Sequence, residues 1–233
     1  MSDTVSTRPA RGPLKDQTLR ILRDRDVPVG TVLDVGVCHG TPELMRVWPD
    51  RPHQLFEPVA EFADRIRHTY RNIDHELHGV AVGDTEGSAA LKVASVLPDM
   101  EISHSSMVEG AGEGLRQVPR VTLDGFLEGR ALAEPFLLKI DIDGHELKVL
   151  RGAARTLARC SIVIVECQKS ELVQRIAAVQ AAGFDLFDLS EPCYYDQVLW
   201  QCDAVLVRKG LLAEKFKSLS GKVEPGMYET FRG

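Results

Sequence analysis

Thr31-Val32-Leu33-Asp34-Val35-Gly36-Val37-Cys38-His39-Gly40-Thr41-Pro42 reads as a strand, a glycine turn and the opening of a helix. Thr31 to Val35 is a compact apolar run, and Thr41 to Val47 is a short helix with Thr41 at the cap and Pro42 at its first position. The same unit repeats outward from here. Gln54 to Phe56 is a second strand, and Val59 to Tyr70 is a helix with Val59, Phe62, Ala63 and Ile66 on one face. Glu76 to Val82 is a third strand. Strands and helices alternating at this spacing predict an α/β fold, with a parallel sheet, helices on both faces and right-handed crossovers.

Further on the rhythm changes. Gly83-Asp84-Thr85-Glu86-Gly87 is turn-rich and Ala89 to Ala94 reads as a strand, so a hairpin or sheet extension replaces the expected helix. Pro98 to Pro119 lacks periodicity and is longer than most connections, which marks it as a binding loop or lid. Regularity returns with Val121 to Leu127, the strand Phe136 to Ile142 and the helix Glu146 to Ala158. Ser161 to Val165 is almost purely apolar, as a central strand buried on both faces requires. A helix from Glu171 to Ala182, a stop at Gly183 and strands at Phe184 to Leu189 and Ala204 to Val207 follow, then a basic tail from Lys209. Before the first strand, Leu14 to Asp26 is a short amphipathic helix, and residues 1–13 form a polar segment expected to fray. These readings predict one domain over residues 14–233, with an inserted loop near 94–120.

The chain has 233 residues, 28 Lys and Arg against 34 Asp and Glu, and a formal net charge of -6. That balance argues against a nucleic-acid partner, although Arg65, Arg67, His68 and Arg71 cluster locally. No apolar run approaches the ~20 residues of a membrane span, and Met1 to Pro13 lacks the apolar centre of a signal peptide. Five cysteines without a C-x-x-C pair suit reduced thiols in the cytoplasm and give no zinc spacing.

The turn after the first strand allows a ligand to approach backbone N–H groups closely, yet D-x-G-x-x-x-G is not the dinucleotide pattern. An acid closing the strand suits a ligand with a cationic amine better than a pyrophosphate. Glu57 closes the next strand in Leu55-Phe56-Glu57-Pro58, 23 residues after Asp34, where a carboxylate can accept hydrogen bonds from ribose hydroxyls. Two such tips make a nucleoside site.

At this point the sequence resembles the class I S-adenosylmethionine-dependent methyltransferases, and within them the FkbM family. The resemblance rests on Asp34, Gly36 and Gly40, on Phe56-Glu57-Pro58, on Ala81-Val82-Gly83-Asp84 with Gly87, and on Val121-Thr122-Leu123-Asp124. Its strongest part runs from Leu138-Lys139-Ile140-Asp141-Ile142-Asp143-Gly144-His145-Glu146 to Ala153, similar to the family's K-I-D-x-E-G-x-E-x-x-V-L-x-G-A. Cys38 stands where the family often has Asn, and Asp143 where it usually has Glu. The resemblance implies a Rossmann-like fold with a mostly parallel seven-stranded sheet, S-adenosylmethionine as cofactor and S-adenosylhomocysteine as product. It implies cofactor contacts from Asp34, Gly36, Val37, Cys38, Gly40, Glu57, Pro58, Ala81, Val82 and Asp84. It also implies O-methylation of a sugar, glycan or small natural product. A non-catalytic binding subunit, or an enzyme acting on a macromolecule, is the alternative, and homo-oligomerisation is left open.

Lys139, Asp141 and Asp143 alternate with Ile140 and Ile142, which places the three charges on one side of the strand and carries the acids into the cleft at its carboxyl end. Glu166 closes the next strand. Methyl transfer to an oxygen needs a placed hydroxyl and a base, so Asp141 or Glu166 is the candidate base, with Lys139 holding the carboxylates ionised and His145 as a third candidate. Lys139 as a structural ion pair, Asp143 as the helix cap and His145 as a surface residue are the plainer readings. His104, Ser105 and Ser106 are candidate acceptor contacts. Tyr194, Tyr195 and Trp200 form either a stacking wall or core. Asp141 with Glu166 can offer oxygen ligands to a divalent metal. No third ligand is identifiable from spacing, so no metal site is assigned.

Overall fold

The computed structural model describes residue 12 and residues 14–94, 104–108, 114–218 and 224–227. Its centre is a seven-stranded sheet built from β1 (Thr31–Val35), β2 (His53–Phe56), β3 (His75–His78), β8 (Phe136–Ile140), β9 (Cys160–Gln168), β10 (Phe184–Tyr195) and β11 (Val198–Arg208). The strand order is β10-β11-β9-β8-β1-β2-β3, and β11 alone runs antiparallel to its neighbours. The expected α/β architecture with a mostly parallel sheet is therefore present. β1, β2, β8 and β9 pair in parallel and converge with their carboxyl ends on one edge.

Strand alternation divides the core. Leu33, Val35, Leu138, Ile140, Val163 and Val165 face one side, under α4 (Leu123–Phe126), α5 (Glu146–Arg151), α6 (Ala154–Ala158) and α7 (Leu172–Ala181). Val32, Leu137, Ile162 and Ile164 face the other, under α1 (Lys15–Asp24) and α2 (Pro42–Val47). α1 brings Leu19 and Leu22 fully into this second layer, while α3 (Ala63–Thr69) packs Ile66 beside Leu55 and Tyr70.

A second sheet of four strands, β4 (Ala81–Val82), β7 (Arg116–Val121), β5 (Gly87–Ala94) and β6 (His104–Val108), follows in that spatial order. It changes three expectations. The single strand Glu76 to Val82 is two strands in different sheets, because the chain turns at Gly79 with Val80 N–H donating to the His78 carbonyl at 2.9 Å. The loop Pro98 to Pro119 contains β6 and the start of β7; residues 95–103 and 109–113 lie outside the described residues. These strands lack a clear apolar alternation: in β7, Gln117 and Pro119 on one face are exposed, and Arg116 on the other face is exposed as well. Third, Val121 to Leu127 is a strand end and a short helix, divided at Thr122, whose hydroxyl accepts from Gly125 N–H.

The helix Glu146 to Ala158 is likewise two pieces, α5 and α6. Gly152 sits against the chain before β5, where an added Cβ would lie 2.1 Å from the Gly83 carbonyl oxygen. Thr41 holds the N-cap position of α2 without a side-chain capping bond; its N–H donates to the Tyr70 hydroxyl at 3.1 Å. The cap position of α5 is His145, not Asp143. Asp143 has a φ of +55°, a conformation in which Asp is enriched. The last strands are longer than expected and form a hairpin whose Tyr194, Tyr195 and Trp200 are exposed, which overturns the core reading of these aromatics. Lys209–Lys215 is a helix, α8, rather than a tail.

Candidate active site

A cleft of about 260 Å³ opens at the carboxyl ends of β1, β2, β8 and β9. Of the expected cofactor residues, Gly36, Cys38, Glu57, Pro58, Ala81 and Val82 line it, and so do Asp141, Asp143 and Glu166. Gly36 makes the wall close: its φ is +83°, and a Cβ there would fall 1.7 Å from the Asp141 carbonyl oxygen. Only glycine lets the ends of β1 and β8 cross at this point.

Glu57 is fixed from both sides. Its Oε2 accepts Cys38 N–H at 2.8 Å and its Oε1 accepts Val59 N–H at 2.9 Å. Burial pushes this carboxyl above its ordinary range, against the pull of those two N–H groups. Each oxygen keeps a lone pair for a further donor. Cys38 sits at φ +51° and contributes its backbone N–H to Glu57, so the missing Asn side chain leaves the backbone contact in place. Its thiol is 3.4 Å from His39 Nδ1 and is pushed up by burial and then by Glu57.

Asp34 lies behind this surface. It is fully buried, in register with Lys139, whose Nζ stands 3.2 Å from Asp34 Oδ1, 3.3 Å from Asp141 Oδ2 and 2.7 Å from the Gly36 carbonyl oxygen. The Gly36 carbonyl accepts a hydrogen bond from the ammonium, and the two carboxylates supply the opposite charge. Burial works against the charge on Lys139, but Asp34 and Asp141 outweigh it and hold the group above the ordinary lysine range. Tyr70 closes the arrangement, its hydroxyl 3.4 Å from Asp34 Oδ2 and its own ionisation pushed up by burial and by Asp34.

β8 stops at Ile140, so the expected alternation carries Lys139 and Asp141 together but does not extend to Asp143. Glu166 is 7% exposed and faces Asp203 across β11. Its Oε1 accepts Gln201 Nε2 at 2.6 Å, and its Oε2 has no hydrogen-bond partner among the described residues. Burial, followed by the charges of Asp141 and Asp143, pushes this carboxyl up to about 8.

Seven other expected site residues sit elsewhere. Val37 is buried among Leu55, Val59 and Ile66, and Gly40 backs onto Thr69. Asp84 pairs with Arg151 at 3.1 Å and, with His145, lines a second cavity. His104, Ser105 and Ser106 lie on β6, where they pair with Ala94, Val93 and Lys92, and Met107 is the residue of that strand that lines the cleft. Among the described residues no group of three or more His, Cys, Asp or Glu side chains is arranged to hold a metal ion.

Two residues were missed. Glu146 Oε1 takes the N–H groups of Gly144 at 3.1 Å and Ile142 at 3.4 Å, shaping the turn that carries Asp141 and Asp143. Arg175, with no exposed surface, pairs with Glu146 Oε2 and Glu171 Oε2, each at 2.6 Å, and donates to the Glu166 carbonyl oxygen at 2.7 Å. A cation on the apolar stripe Leu172, Ile176, Val179 was the available signal.

The family model described as Methyltransferase FkbM domain matches residues 34–186, which hold every residue lining the cleft except Gln201. The chain belongs to the FkbM methyltransferase family. A curated relative, the hexuronic acid methyltransferase AglP of Haloferax volcanii, is 35% identical over 54 residues. The match spans 23% of this chain and 23% of AglP. Solved structures similar to this chain include a precorrin-6y C5,15-methyltransferase from Geobacter metallireducens GS-15 (TM-score 0.44, 9% identity, 88% of this chain and 97% of that one). Another is magnesium protoporphyrin IX methyltransferase from Synechocystis PCC 6803 with bound S-adenosylmethionine (TM-score 0.44, 10% identity, 83% and 79%). The fold assignment of this FkbM chain rests on its strand order and its family match.

Proposed function

We propose that this FkbM chain is an S-adenosylmethionine-dependent O-methyltransferase, folded as one domain over residues 14–233, that methylates a hydroxyl of a sugar, glycan or small natural product. The observation that carries the reading is the cleft itself. Glu57 is fixed by two backbone N–H groups on one side of it, and Glu166 presents on the other a buried oxygen without a hydrogen-bond partner among the described residues. The donor set suits the cofactor: Glu57 retains acceptor capacity for ribose hydroxyls, and the crossing at Gly36 leaves the wall bare of side chain. When bound, S-adenosylmethionine supplies an electrophilic methyl group.

The chain's own residues supply the rest. Asp141, steadied by Lys139, and Glu166 face the place where a hydroxyl must be oriented and its proton taken. A base of this kind contributes on the order of 10²- to 10⁴-fold. Glu166, neutral below about 8, accepts a proton only at higher pH, whereas below it the group donates a hydrogen bond. The acidic rim also favours a cationic cofactor over a neutral one. AglP, whose name gives a hexuronic acid as its acceptor, supports a sugar over other hydroxyls. Calorimetric titration with S-adenosylmethionine tests the reading; absence of binding at millimolar cofactor returns the chain to the binding-subunit alternative.

A further inference from the structure

Glu166 stands among acids. Asp141 and Asp143 after β8, Glu146 on α5 and Asp203 on β11 all act to keep its carboxyl protonated. On the surrounding elements, Lys139 pairs with Asp34 and Asp141, Lys15 with Asp203, and Arg175 with Glu146 and Glu171. Arg175 meets Glu166 at its main-chain carbonyl oxygen. Among the described residues the donor to the carboxyl itself is the Gln201 amide, whose Nε2 reaches Oε1 at 2.6 Å.

β11 puts that amide in place. Asp203 is directly opposite Glu166 and Gln201 is opposite Gln168, so Gln201 shares the side of the sheet that carries Asp203 and lies diagonally across from Glu166, a separation that a long side chain spans. Lys169 N–H donates to the Trp200 carbonyl oxygen at 2.9 Å, which continues the pairing one step past Gln201 and fixes its backbone. Both Glu166 and Gln201 line the cleft. Gln201 lies beyond residues 34–186, so the family match does not cover it.

An N–H donor needs a bare lone pair. Oε1 is therefore the unprotonated oxygen, and a proton carried by Glu166 sits on Oε2, the oxygen with no hydrogen-bond partner among the described residues. An amide donor also favours the ionised carboxyl, against burial and the four acids. Resting on the methyltransferase reading above, we infer that Gln201 is a positioning residue that acts through Glu166: its amide occupies Oε1, leaves Oε2 to exchange the proton, and sets the pH at which that exchange occurs.

The test follows the Glu166 carboxyl carbon by NMR in protein labelled with carbon-13 glutamate, the signal being assigned by its loss in Glu166→Gln. Gln201→Met keeps the bulk and removes the donor, which moves the midpoint up from about 8 by roughly one pH unit, a tenfold gain in proton affinity. Gln201→Lys puts a cation against the same oxygen and moves it down by at least as much. Opposite shifts cannot come from a general loosening of the hairpin, and a midpoint unmoved in both variants overturns the proposal. Rates with S-adenosylmethionine and hexosides across pH complete it. The limb of the kcat profile near 8 follows the NMR midpoint in each variant while cofactor affinity stays within a few-fold; a limb that stays put while the midpoint moves overturns the positioning role. If no acceptor is methylated, the methyltransferase reading fails by itself, and the two NMR shifts still decide whether Gln201 governs the Glu166 proton.

Discussion

Asp141 and Glu166 stand on neighbouring strand ends, yet their surroundings differ. Asp141 shares the Lys139 ammonium at 3.3 Å, whereas Glu166 accepts from an amide, that of Gln201. Asp141→Asn is expected to abolish turnover while leaving cofactor affinity within a few-fold, checked by rate assay beside calorimetry. Full activity in that variant would move the base to Glu166 or leave positioning alone to carry the reaction. Glu166 has its own signature in stability. Its pKa is near 4.5 unfolded and about 8 folded, so between those values the folded state binds the extra proton. Stability from this group is complete below pH 4.5 and is lost as pH rises through 8. Glu166→Gln should therefore leave acid stability unchanged and raise stability at pH 9 by on the order of 1–3 kcal/mol, read by urea denaturation at both pH values. A parallel loss at both would show that Glu166 is ionised throughout.

Among the elements, α5 and α7 are joined through Arg175, Glu146 and Glu171. Arg175→Met strands the Glu146 carboxylate and should cost about 3–5 kcal/mol, with part of the loss recovered by adding Glu146→Gln. Denaturation of the single and double variants measures both. Gly36→Ala is expected to be comparably damaging, because β1 and β8 must separate to admit a methyl group at 1.7 Å from a carbonyl. β1, β8 and β9 were legible in the sequence because strands buried on both faces are continuous apolar runs. β6 and β7 were not, since Ser105, Ser106, Arg116 and Gln117 give no alternation and Pro119 argues against a strand. The acids at the strand ends were legible as types and places. That Asp34 faces inward to Lys139 rather than into the cleft depends on which side of β1 the helices α1 and α2 cover, and no local spacing records that.

Over the whole molecule, the β10–β11 hairpin projects beyond the sheet with Tyr195 78% exposed and Val198 52% exposed. Tyr195→Ser and Val198→Ser should change stability by less than about 0.5 kcal/mol, although both are apolar positions on long strands; thermal denaturation checks this. The charged pairs run differently. Lys15 meets Asp203 at 2.7 Å, and Lys139 meets Asp34 and Asp141, all on the face covered by α1 and α2. Strands as uniformly apolar as β1 and β8 can slide past one another with little change in hydrophobic burial. A slip of one residue would turn Asp34 onto the opposite layer, among Leu138, Ile140 and Val163, and leave Lys139 facing Leu33 or Val35. The Asp34–Lys139 pair thus acts as a key to strand alignment during folding, rejecting misregistered sheets that greasy side chains alone would tolerate.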